Sequence, residues 1–228
     1  MKLLLLVFTC ISIASAEEAL TARTWQGIPG LERTAKGRLF MAWYTGGVKE
    51  PSPDNLVLIA HSDDDGATFS EPAVMAGPDL KTGRAFDPTL WLDPSGKLWY
   101  IYNRGSKDNA LHGVYARTCV NPDARNPRWS DEVHLGFADQ QIPFSFRMNK
   151  PTVLASGEWL LPVTHAGGET VADWFARPKQ LQGVAISTDK GRTWKLQGAV
   201  KAPEWALENM IVELRDRRLW MLIRTGSG

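Results

Sequence analysis

Ionisable residues stand at the ends of four similar apolar segments in this chain. Asp87 follows Phe86, Lys150 follows Asn149, Glu208 precedes Asn209, and Arg224 closes the last segment. Carboxylates and cations supplied one per segment can bind a polar substrate and move protons on it, provided the fold gathers them. The competing reading of Asp87 and Lys150 is a capped strand start or a structural ion pair. Two Asp-rich runs also look catalytic: Ser62 to Phe69 and Ser187 to Trp194 both read S-x-D-x-G-x-T plus an aromatic. A tight turn accounts for them better. The Asp accepts from turn amides, the Gly supplies positive φ, and the aromatic packs back against the fold. A degenerate copy runs from Asn121 to Ser130. His165 has no His or Cys spaced to share a metal, so it reads as a packing or hydrogen-bonding residue; no metal and no cofactor are expected.

The elements that must position these residues repeat. The four segments each hold a short apolar run, a polar turn and a second apolar run. Aligned on Gly37, Gly96, Gly157 and Arg217, the turns lie 59, 61 and 60 residues apart. Runs of this length, rich in Leu, Val, Ile, Trp and Tyr and bounded by Gly, Pro, Asp and Ser, predict strands. The turn between them is a hairpin signal. Two later strands complete each unit, one over Leu56 to His61 and one after Phe69. Four antiparallel strands per repeat, stacked radially, predict an all-β propeller, with about three and a half blades in this chain. The first strand of each unit is then innermost. Its start faces a central mouth ringed by Gln26 and Gly27, Phe86 and Asp87, Asn149 and Lys150, and Glu208 and Asn209. The ends of the second strands add Tyr44, Asn103, Arg104, Thr164, His165 and Arg224 to that ring.

Composition narrows the class. The first 16 of the 228 residues have one early Lys, an apolar run and Ala14-Ser15-Ala16, the pattern of a cleaved signal peptide. The apolar run is too short to span a bilayer, so residues 17–228 are expected as an exported domain, secreted or periplasmic, with no membrane span. Without Lys2 the remainder carries 25 basic and 25 acidic side chains, a balance that argues against a nucleic-acid partner. Cys119 is its only cysteine and reads as a packed thiol, so no internal disulfide forms. Ten Trp suit packing between sheets or a carbohydrate site.

The repeated S-x-D-x-G-x-T-W boxes resemble the Asp-box, or BNR, repeats of the sialidase (neuraminidase) superfamily. The resemblance covers residues 25–228. It implies a six-bladed β-propeller with its active site at the mouth opposite the boxes, and a glycan substrate bearing sialic acid or a related acidic sugar. Six blades of this size need roughly 360 residues, so the chain reads as the N-terminal part of a longer protein. Glu208-Asn209-Met210-Ile211-Val212-Glu213-Leu214 resembles the family strand whose first Glu activates a nucleophilic Tyr, and Arg224 falls where a carboxylate-clamping Arg is expected. Glu50, in a loop stiffened by Pro51 and Pro53, falls where the family has its acid/base; Asp54 is the alternate. The Tyr and a further Arg would lie beyond residue 228. One position departs: Gln26-Gly27-Ile28-Pro29 keeps the Ile-Pro of the family's first Arg motif, but Gly27 stands where the Arg would be. A glycosidase or lyase on a non-sialic glycan, or a non-catalytic carbohydrate-binding propeller, therefore stays open beside the exo-sialidase reading.

Overall fold

The computed structural model describes residues 24–80, 82–105, 111–135, 145–146, 149–166 and 180–226. The first 16 residues, read above as a leader, lie outside them. The described chain is all-β. The first sheet is β1 (Gln26–Arg33), β2 (Leu39–Thr45), β3 (Leu56–Ser62) and β4 (Ala73–Ala76), hydrogen-bonded in that order. The second is β5 (Arg84–Leu92), β6 (Leu98–Gly105), β7 (Leu111–Cys119) and β8 (Val133–His134). In the third, β11 (Trp159–Ala166), β12 (Gln180–Ser187) and β13 (Lys195–Val200) follow an inner edge made of two short pieces, β9 (Ser145–Phe146) and β10 (Thr152–Val153). A hairpin of β14 (Ala206–Glu213) and β15 (Leu219–Thr225) stands fourth. All the pairings are antiparallel.

The first hairpin of each unit is the same object four times. Gly37, Gly96, Gly157 and Arg217 donate their amides to Thr34, Asp93, Leu154 and Leu214 at 2.9–3.0 Å. All four sit at positive φ, 97°, 84°, 101° and 71°. Glycine takes that conformation freely; Arg217 takes it at a cost of about 1 kcal/mol. The two Asp-rich runs are also one turn used twice. Asp64 accepts from the Thr68 amide at 2.8 Å and hydroxyl at 2.6 Å, and Asp189 accepts from Thr193 at the same two distances. Ser62 and Ser187 accept the amides of Gly66 and Gly191 at 2.9 and 2.8 Å. These turns join the third strand to the fourth, so they lie at the end of the sheets opposite the starts of β1, β5 and β14.

The sheets pack face to face. Phe40, Tyr44, Leu90, Leu98 and Tyr100 fill the space between the first and second. Trp91, Trp99, Trp159 and Trp194 fill that between the second and third. The box aromatics pack toward the preceding sheet: Trp194 is buried in the second core, and Trp129 of the degenerate copy sits edge-on to Phe40 and Tyr100. Phe69, whose sheet has no described predecessor, is 40% exposed instead. The first strands of different sheets also touch one another. The Lys150 ammonium donates to the Leu31 carbonyl and pairs with Glu32, both at 2.9 Å, Glu32 also accepts the Leu92 amide at 3.2 Å, and Asn149 donates to the Asn209 carbonyl at 2.9 Å.

Candidate active site

A bulge shapes the start of each fully described inner strand. The register slips between Gly27 and Gly30, between Phe86 and Thr89, and between Leu207 and Met210. The slip is made by one residue in the left-handed region: Ile28 at φ 50°, Asp87 at 50° and Glu208 at 57°. None is glycine, and a β-branched Ile there is a true outlier. A bulge re-aims the side chain it carries, and such strain gathers at functional sites. Asp87 and Glu208 thus occupy the same place in their repeats, nine residues before Gly96 and Arg217.

Around them the mouth is built from three sheets. Asp87 is 4% exposed, with the Asn103 amide 3.4 Å from its Oδ2. Arg224, at the end of β15, donates from Nη1 to Glu208 Oε1 at 2.6 Å, and its guanidinium lies 5.7 Å from the Trp205 ring. The Glu208 hydrogen bond and charge raise the Arg224 pKa, and the Glu50 carboxylate adds to that field. Glu50 is exposed on the loop of residues 46–55. The buried side chain of Asn55 ties that loop down: it donates to the Gly46 carbonyl at 2.7 Å, and its oxygen accepts the Ser52 amide at 2.9 Å. Arg84 reaches the same oxygen at 3.1 Å and lies 3.7 Å over the Phe86 ring. Burial lowers the Arg84 pKa, opposed by Asp87, Tyr44 and Glu50.

Tyr44 sits beneath, fully buried. Burial, then the Asp87 charge and contact with Glu50, push its phenol far above the ordinary value. The contact with Glu50 falls outside good hydrogen-bond geometry, which leaves the hydroxyl without a partner of that quality. Burial therefore favours the neutral phenol at Tyr44. The described mouth combines three carboxylates, two guanidiniums and a buried phenol, a set able to transfer protons and hold a polar or anionic ligand.

The BNR repeat-like domain model matches residues 37–228. The chain belongs to the BNR repeat-like domain family. Solved structures share its fold. A protein of unknown function from Dyadobacter fermentans superposes with a TM-score of 0.70 at 17% identity, over 88% of this chain and 62% of that one. A Hadza microbial sialidase gives 0.66 at 16%, over 89% and 42%. A family 117 glycoside hydrolase from the marine bacterium Zobellia galactanivorans gives 0.57 at 14%, over 84% and 60%. The chain thus spans less than two thirds of the length of each of these three. No curated protein matches it by sequence.

In this BNR repeat-like chain the structure brings Glu50, Asp87, Glu208 and Arg224 to one end of the sheets. Lys150 is not with them. Its ammonium is committed to Glu32 and the Leu31 carbonyl, which is the ion-pair reading of that residue. The reason is phase: Asp87 and Glu208 stand nine residues before their turns, whereas Lys150 stands seven before Gly157, deeper along the axis. The third repeat's register also moves by two residues between Phe146 and Thr152, against one elsewhere. Asp54 belongs to its own loop, with Ser52 Oγ 3.5 Å from its carboxylate. Arg104 turns away from the mouth to Glu132 at 2.8 Å and to the Gly77 carbonyl at 3.0 Å. His165 is buried with Nε2 3.1 Å from the Gly198 carbonyl. Cys119 is buried, and burial raises its thiol pKa. Among the described residues no three His, Cys, Asp or Glu gather as a metal site, and no helix is long and apolar enough to cross a membrane.

Sequence reasoning missed Arg84 and Trp25. Arg84 stands at the first position of β5, three residues before Asp87, where a buried cation needs a carboxylate beside it. Trp25 stands two residues before Gly27, so strand alternation puts both on one face. A Cβ built on Gly27 would lie 2.8 and 2.9 Å from two carbons of the Trp25 indole. The volume beside position 27 is occupied by the aromatic ring of the residue just ahead of β1.

Proposed function

We propose that this BNR repeat-like protein is an exported, retaining glycoside hydrolase that removes a terminal sialic acid or a related acidic sugar from glycans. The observation that carries the reading is the Glu208–Arg224 pair, 2.6 Å apart at the strained bulge of β14, with Glu50 contributing to the same field. Arg224 is 57% exposed at its side chain, so the guanidinium can donate to a substrate carboxylate while one nitrogen stays on Glu208. Glu50, exposed on an anchored loop, acts as acid/base: it protonates the leaving oxygen, then deprotonates the water that releases the sugar. Glu208 takes the proton of a hydroxyl nucleophile. That nucleophile is not Tyr44, which is fully buried and out of a substrate's reach. Asp87 contacts the substrate from the second sheet. The six-bladed closed propeller and the signal peptide of residues 1–16 belong to the same proposal.

A second reading is favoured by one observation: Gly27 has no charge to offer, and Trp25 fills its side-chain space. A propeller glycosidase on a non-sialic glycan fits that wall equally. The test is hydrolysis by the full-length protein of a fluorogenic sialoside beside a panel of neutral and uronic-acid glycosides. Release from the sialoside supports the first reading, release only from another glycoside the second. No release from any of them overturns both.

A further inference from the structure

The mouth has two unlike walls. On the side of β14 and β15 stand Glu208 and Arg224. On the side of β1 stand Trp25 and Ile28, both partly buried against the core between the first two sheets. Trp25 is held by its backbone and its ring alike. Its carbonyl accepts the Thr45 hydroxyl at 2.7 Å, and its indole lies 4.7 Å from the Tyr44 ring, tilted by 58°. The indole edge rests over Gly27 so closely that even one methyl group at position 27 would displace it. Gly27 has an ordinary negative φ, so the conformation there does not demand glycine; the indole does. Core packing alone would bury such a ring. This one is only partly buried, just ahead of the strand that carries the Ile28 bulge, and the Thr24 hydroxyl beside it donates to the Gly47 carbonyl of the loop bearing Glu50 at 3.0 Å.

We propose that Trp25 is a sugar-stacking residue: the apolar C–H face of the bound sugar ring seats on its indole, while the ring's anionic edge turns to Arg224. The proposal rests on the reading of the mouth as a glycan site and names the ligand class as a monosaccharide unit with one acidic edge and one apolar face. A flat aromatic beside a few placed polar groups is the usual composition of such pockets. Gly27 is then a specificity residue by omission, since its missing side chain is what leaves room for the indole edge.

The experiment uses the full-length protein and two probes, N-acetylneuraminic acid and D-glucuronic acid. The indole N–H resonance of Trp25, assigned through Trp25→Phe, is followed on titration with each acid. It shifts with at least one of them, and Trp25→Ala weakens that acid's Kd about tenfold, whereas Trp25→Phe loses about threefold or less. Gly27→Ala, which keeps the indole but pushes it aside, weakens binding as Trp25→Ala does. For a hydrolysed glycoside the loss falls on KM, with kcat held within about twofold. An unmoved Trp25 resonance at saturating acid, or unchanged Kd in both Trp25→Ala and Gly27→Ala with wild-type melting, overturns the proposal. A protein that hydrolyses nothing while the Trp25 resonance responds to free acid overturns the hydrolase reading and leaves this one standing.

Discussion

Replacing Trp159 by Ala removes the centre of the contact between the second and third sheets. The indole is 4% exposed and meets Trp91 edge-on at 4.7 Å and Trp99 at 6.0 Å between centroids. Gly191 of the second Asp-rich turn rests on the same rings, with a built Cβ 2.8 Å from Trp99 and 2.9 Å from Trp159. Both sheets and the turn therefore close on one aromatic cluster, and no neighbour is free to collapse into the vacated space. Truncating a buried Trp of this kind costs about 3–5 kcal/mol, which for a chain of this size is a fall in Tm of about 6–20 °C. Trp220, 56% exposed on β15, is the control, and its replacement by Ala stays within about 0.5 kcal/mol. Urea unfolding followed by circular dichroism reads both variants. A loss below about 1.5 kcal/mol for Trp159→Ala would refute the idea that this cluster locks the two sheets together.

Two further outcomes follow from the repeated turns. Arg217→Gly relieves the left-handed strain that Gly37, Gly96 and Gly157 avoid, and stabilises by about 0.5–1 kcal/mol in the same urea assay; the exposed pair of Arg217 with Glu213 contributes little against it. Asp64 and Asp189 have pKa values lowered from 3.8 to about 2, chiefly by their bonds from Thr68 and Thr193. Their folded values lie below the unfolded ones, so their contribution is present above pH 3.8 and is lost as pH falls through about 2. Acid titration of Asp64→Asn and Asp189→Asn therefore shows a shallower loss of stability over that window than the parent; equal slopes would contradict it.

The period near 60 made the fold legible, because each unit repeats a hairpin whose turn demands a left-handed residue and whose apolar runs are bounded by turn formers. The Asp-rich turns were legible for the same local reason. What resisted was phase. The bulges at Ile28, Asp87 and Glu208 insert one residue at the start of the inner strand, and the third repeat inserts two, so counting along the segments set Lys150 level with Asp87 when it stands deeper. Arg84 was invisible because a buried cation is recognised by what the tertiary fold puts beside it, here Asn55 from the loop that carries Glu50. Gly27 read as a missing Arg. The structure adds that its space is filled by Trp25, a contact between residues two apart that only the backbone geometry reveals.

The proposed chemistry at the mouth runs through Glu208. Its most direct test is the kcat of full-length Glu208→Gln on whichever glycoside the parent hydrolyses, with melting recorded in parallel. Glu208→Gln lowers kcat by about a hundredfold or more at an essentially unchanged Tm. Parental kcat in a folded Glu208→Gln protein would contradict it.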